Sequence, residues 1–102
     1  MASGNLSPRQ RRLLSGLAQS LGCSISLGRA GATAELASRL AELLEEHELV
    51  KLRFGDLKDS RRELAEDLAE RTGSELVRLI GFVAIFWKRA GDPARRKIDI
   101  GN

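Results

Sequence analysis

Ser24-Ile25-Ser26-Leu27-Gly28-Arg29-Ala30-Gly31 reads as a short strand running into a four-residue Gly-x-x-Gly loop with a basic residue at its tip. Cys23, Ile25 and Leu27 alternate with Ser24 and Ser26, the period of a half-buried strand. An amphipathic helix opens near Thr33. Lacking Cβ atoms, Gly28 and Gly31 can take positive φ and let a flat or charged ligand approach closely. A helix N-terminus behind the loop offers N–H groups and a dipole that favour a phosphate, and Arg29 adds a full positive charge. Together these features fit a grip on a nucleic-acid backbone.

Upstream, Ser7-Pro8-Arg9-Gln10 is a helix start, with Ser as N-cap, Pro first in the helix and Gln three residues after the cap. Leu13, Leu14, Leu17, Ala18 and Leu21 form its apolar stripe, and Gly22 suits its end. Downstream, Leu36, Ala37, Leu40, Leu43 and Leu44 define a second helix ending near His47. Leu49 to Phe54 is a strand, with Val50, Leu52 and Phe54 on one face and Lys51 and Arg53 on the other. Gly55-Asp56 starts a loop, and Ser60-Arg61-Arg62-Glu63 predicts a second capping box. The helix it opens points Leu64, Ala65, Leu68 and Ala69 inward and closes at Thr72-Gly73. Glu75–Ile80 and Phe82–Trp87 are strands paired about a tight turn at Gly81.

The predicted fold class is therefore α/β, in the order α-β-α-β-α-β-β. Strand–helix–strand units favour parallel crossovers and the last pair is antiparallel, which gives a mixed four-stranded sheet backed by helices. Residues 1–5 are expected to be a flexible N-terminus, 6–89 one domain, and 90–102 a loosely held basic tail with Arg95, Arg96 and Lys97.

At 102 residues, 42% apolar and 30% charged, the composition is that of one globular domain. The N-terminal arginines have no apolar run after them, and Leu79 to Trp87 is too short to span a bilayer, so no membrane is expected and a cytoplasmic location is. Residues 1–34 carry Arg9, Arg11, Arg12 and Arg29 and no acid, residues 35–75 net −5, and residues 76–102 net +4. Basic ends around an acidic middle can present one basic face to a polyanion.

Enzymatic readings fare poorly. One His and one Cys exclude a closed zinc site of those ligands within the chain. His47 reads as a helix-end residue favoured by the dipole, and Cys23 as a small core hydrophobe. Glu45-Glu46 and Glu66-Asp67 lie on solvated helix faces. No phosphate-loop or dinucleotide fingerprint occurs, and no cofactor or catalytic residue is expected. Phe54, Phe82 and Phe86 read as core, which leaves Trp87 as the aromatic expected to be partly exposed.

Ten glycines in 102 residues make about one Gly-x-x-Gly expected by chance, so the motif alone carries little. Chain-wide order carries more. Leu6-Ser7-Pro8-Arg9-Gln10 with Leu17-Ala18, Leu27-Gly28-Arg29-Ala30-Gly31, His47-Glu48-Leu49-Val50-Lys51, Glu66-Asp67-Leu68-Ala69-Glu70-Arg71-Thr72-Gly73 and Leu79-Ile80-Gly81 follow one another at spacings that resemble the YhbY family. That family is the stand-alone bacterial form of the CRM (chloroplast RNA splicing and ribosome maturation) domain, and the resemblance covers about residues 6–89. It implies a compact α/β domain similar to the C-terminal domain of translation initiation factor three. It also implies RNA binding through the loop, much as KH domains clamp a backbone, and association with precursors of the large ribosomal subunit. By motif match Gly28, Arg29, Ala30 and Gly31 inherit the RNA contact. Family members commonly have a polar or basic residue where this chain has Ala30 and Phe82, and Tyr-Arg where it has Trp87-Lys88.

The leading expectation is a monomeric, non-catalytic ribosome-assembly factor. Its partners would be large-subunit ribosomal RNA or its precursor, and ribosomal particles. Arg9 and Arg12 of the first helix, Lys51 and Arg53 of the second strand and Lys88 and Arg89 at the final strand end would widen the loop's footprint. Two alternatives stand beside it. One is a protein-interaction module docking on ribosomal proteins through its acidic helices; the other is a small-molecule enzyme using the helix N-terminus as an anion site.

Overall fold

The computed structural model describes residues 6–55 and 60–100. The expected flexible segment 1–5, most of the loop that begins at Gly55-Asp56, and the last two residues of the tail lie outside them. The elements are α1 (Pro8–Ala18), β1 (Ile25–Leu27), α2 (Ala34–His47), β2 (Leu49–Phe54), α3 (Arg61–Thr72), β3 (Glu75–Ile80) and β4 (Val83–Trp87), then a single 3-10 turn at Pro93–Arg95. This is the predicted order. Among the described residues no helix is long and apolar enough to cross a membrane.

The sheet is mixed, in the order β1-β2-β4-β3. β1 and β2 are parallel, and β4 lies antiparallel between β2 and β3. Strand polarity thus puts the C-terminal ends of β1 and β2 at the same end of the sheet as the β3–β4 turn. Gly81 has φ +55, and Phe82 is not among the described non-glycine residues with positive φ. That is the pattern of a II′ hairpin, with glycine at the first central position.

Helices cover both faces. α2 and α3 pack on one face, where Leu40, Leu43, Leu44, Ala65 and Leu68 meet Leu27, Val50, Leu52, Phe54 and Phe86. α1 lies on the other, where Leu14 and Ala18 meet Leu49, Val77, Ile85 and Trp87. The α1 capping box forms as expected: Ser7 Oγ accepts the Gln10 N–H at 3.1 Å, and Gln10 Oε1 accepts the Ser7 N–H at 2.9 Å.

Several expectations are corrected. Only Leu14 and Ala18 of the α1 stripe are buried; Leu13, Leu17 and Leu21 stay about two-fifths exposed. Leu13 and Leu17 sit about 100° around the helix from Leu14 and Ala18, and the sheet beneath engages only the inner pair. Cys23 precedes the strand and is exposed, not core. Ser60 has φ −110 and ψ 14, outside the extended region a cap needs, so its side chain makes no capping bond and the second capping box does not form. Trp87 is buried, because β4 turns it onto the α1 side under Leu6, Ile98 and Ile100. Phe82, expected in the core, is 40% exposed at the hairpin tip.

The tail is not loose either. Glu48 ends α2 with φ +66 and is fully buried. Its carboxylate accepts the N–H groups of Ala90 at 2.8 Å, Lys97 at 2.7 Å and Ile98 at 3.0 Å. Glu45 accepts those of Gly91 and Asp92, and Ile98 and Ile100 complete the α1-side core.

Candidate nucleic-acid interface

The Gly28–Gly31 segment is a hydrogen-bonded turn that carries Arg29 and Ala30, both exposed, at its tip. The Gly31 N–H donates to the Gly28 carbonyl at 3.0 Å, and the Thr33 N–H to the Gly31 carbonyl at 3.0 Å. Gly31 uses its freedom, with φ +78. Gly28 does not: its φ is not positive, and a Cβ there would meet nothing within 4 Å.

Two residues outside the motif fix the loop in place. At its root the Gly55 N–H donates to the Leu27 carbonyl at 2.9 Å, and a Cβ on Gly55 would lie 3.3 Å from that same oxygen. At its exit Arg71 of α3 donates from both terminal nitrogens to the Ala32 carbonyl, each at 2.8 Å, and from one to the Thr33 carbonyl at 3.3 Å. Asp67, one helical turn earlier, lies 3.4 Å from the same guanidinium. Local sequence ties neither Gly55 nor Arg71 to the Gly28–Gly31 loop; Arg71 reaches across 39 positions.

The helix behind the loop is less open to an anion than the sequence implies. Thr33 Oγ1 accepts the Leu36 N–H at 3.0 Å, and Glu35 already places a carboxylate in the first turn of α2. Positive charge comes instead from the sheet. Residues paired directly across strands share a face, so Ser26, Arg53, Val83 and Ile80 form one transverse row on the α1 side at the loop end. Lys51, Ile85 and Arg78 form the next. None of these seven is acidic, and α1 has none either, only Arg9, Arg11 and Arg12. A cleft of 220 Å³ opens between α1 and this face, lined by Ser15, Gln19, Lys51, Arg78 and Ile80 among others. Glu42, Glu46, Glu63, Glu66 and Glu70 are carried on the helices of the opposite face.

The ten candidate residues do not form one cluster. Gly28, Arg29, Ala30, Gly31 and Arg53 gather at the loop end. Lys51 stands one row back, its amine donating to the Leu21 carbonyl at 2.9 Å. Arg9 and Arg12 are exposed on the N-terminal half of α1. Lys88 and Arg89 lie at the opposite end of the sheet, because β4 runs antiparallel to β2. There Lys88 Nζ caps α3 through the Thr72 carbonyl at 3.0 Å, and the Arg89 guanidinium sits 5.8 Å from the Trp87 ring centroid. Arg78, absent from the ten, is the cation that cross-strand pairing adds to the face. Among the described residues no group of His, Cys, Asp and Glu is placed to hold a metal ion.

This arrangement of loop, sheet and helices matches known proteins. The family model described as the CRS1 / YhbY (CRM) domain aligns with residues 6–88. The chain belongs to that family. Similar to this CRM domain is the "Probable RNA-binding protein YqeI" of Bacillus subtilis (strain 168), 28% identical over 86 residues, which span 83% of this chain and 90% of that protein. The solution structure of the hypothetical protein SAV1595 from Staphylococcus aureus, whose description proposes RNA binding, superposes with a TM-score of 0.76 at 28% identity. It covers 92% of this CRM domain chain and 99% of its own.

Proposed function

We propose that this CRM domain is a non-catalytic RNA-binding protein that holds the RNA backbone at the Gly28–Gly31 loop and assists assembly of the large ribosomal subunit. The observation that carries the reading is the exposed Arg29-Ala30 tip, fixed by Gly55 and Arg71, beside two sheet rows that hold Arg53, Lys51 and Arg78 and no acid. The RNA-binding descriptions of its relatives support the choice of ligand. Arg29 and Arg53 attract phosphates, and Gly28, with no Cβ, lets the backbone come against the turn. With Ala30 uncharged, recognition follows RNA shape and backbone more than base sequence. Work on ribosomal precursors would place the protein in the cytoplasm.

Crosslinking in cells followed by sequencing of the bound RNA tests this directly. Enrichment of large-subunit ribosomal RNA or its precursor supports the assembly role, and a scatter over unrelated transcripts removes it. The segregation of acids onto α2 and α3 favours one other reading, a module docking on basic ribosomal proteins. Purified protein that binds no RNA at low salt yet co-sediments with ribosomal particles would establish that reading instead.

A further inference from the structure

A lone exposed aromatic is ordinary on a protein surface. Phe82 is distinguished by what surrounds it. It occupies the second central position of the β3–β4 turn and is 40% exposed, whereas Phe54 and Phe86 are 1% and 0% exposed. The Arg61 guanidinium carbon lies 4.7 Å from its ring centroid, within cation–π range. Its backbone is anchored, since the Phe82 carbonyl accepts the Phe54 N–H at 2.7 Å. Phe54 in turn pairs with Leu27, the residue just before Gly28. Phe82 therefore stands two strand spacings, about 10 Å, from the root of the loop.

We propose that the Phe82 ring, with Arg61 against it, is a stacking platform for one unpaired base of the bound RNA. The inference rests on the RNA-binding reading above and specifies what part of the RNA meets the hairpin tip. Splayed bases of single-stranded segments stack on aromatic rings and on arginine planes, and this tip offers both together. A backbone gripped at Arg29 and followed along the sheet end toward β4 brings its bases to that ring. Every base has a π-face, so the platform takes any base and selects for the absence of pairing. The preferred ligand is structured RNA with an unpaired nucleotide beside the segment held by the loop. Neighbouring Ile80, 51% exposed, extends the apolar surface on the α1 side of the same turn.

The test uses a short single-stranded oligoribonucleotide containing 2-aminopurine, whose fluorescence is quenched on stacking, and the variants Phe82→Leu and Phe82→Tyr. Leucine keeps an apolar side chain but no π-face, and tyrosine keeps the ring. The wild type and Phe82→Tyr bind and quench. Phe82→Leu loses roughly ten-fold in affinity together with the quench. Its salt dependence keeps the wild-type slope, because every cation that meets a phosphate is still present. Phe82→Leu that binds and quenches like wild type overturns the platform while leaving the loop reading intact. So does a Phe82→Leu protein with normal RNA affinity that no longer joins ribosomal particles, since the ring would then be a protein contact. A wild-type protein that binds neither this oligonucleotide nor structured ribosomal RNA overturns the RNA reading and the platform with it.

Discussion

Both terminal nitrogens of Arg71 donate to the Ala32 carbonyl oxygen at 2.8 Å, so a residue near the end of α3 sets the exit of the Gly28–Gly31 loop. Arg71→Leu removes these bonds without touching the tip. The expected stability loss is about 1 kcal/mol, the net worth of one or two partly exposed hydrogen bonds. Amide exchange at Ala32 and Thr33 should quicken, and RNA affinity should fall several-fold through the looser loop. Lysine supplies a point charge without the planar fork, so Arg71→Lys should rescue only in part. Unchanged exchange in Arg71→Leu would show that the loop holds its shape without the guanidinium.

Under the proposed loop grip, Gly28 and Gly31 separate RNA contact from folding. Gly31→Ala forces a Cβ into φ +78 and should cost about 1–2 kcal/mol. Gly28→Ala meets neither strain nor a neighbour. Its melting temperature should hold or rise slightly, because alanine has less unfolded-state entropy to lose. The proposed grip predicts that RNA affinity nonetheless drops, since the added methyl would stand where the RNA backbone approaches. Thermal unfolding and filter binding on the two variants give both answers, and a Gly28→Ala protein with full affinity would show that close approach at this position plays no part.

Glu48 makes stability depend on pH. Burial alone would raise its pKa, but the N–H groups of Ala90, Lys97 and Ile98, with the charge of Arg89, outweigh burial and hold it below the ordinary 4.5. A carboxylate whose folded pKa is depressed contributes stability that is fully present above the unfolded value and is lost as pH falls through the folded one. Glu48→Gln should therefore cost about 1–3 kcal/mol at neutral pH. That deficit relative to wild type should shrink as the pH drops below 4.5. Melting curves of both proteins across that range check the sign, and a deficit that stays constant in acid would contradict it.

Much of this fold was legible in the chain. The bounds of β2 and β3 match the alternation of Leu49–Phe54 and the apolar segment Glu75–Ile80, and Ser7 and Gln10 cap α1 as their spacing requires. Local patterns could not say which sheet face each helix would cover. Leu13 and Leu17 have the same periodicity as Leu14 and Ala18, and only the width of the surface beneath decides between them. Phe82 continues an apolar run, yet a two-residue turn carries it out of the core. Glu48 looks like one more acid at a helix end, and its burial depends on a tail that returns 42 residues later. The loop motif itself was visible, but Gly55 and Arg71, which hold it, belong to other elements and become its neighbours only on folding.

The most direct measurement is the affinity of the double variant Arg29→Asp, Ala30→Asp for structured large-subunit ribosomal RNA, taken over a range of salt concentrations alongside a melting curve. Both side chains are exposed, so the fold should be retained. A backbone grip at the loop predicts at least a roughly ten-fold weaker complex, with a salt slope shallower by about one because Arg29 no longer neutralises a phosphate. A folded variant that binds with wild-type affinity and wild-type slope would contradict it.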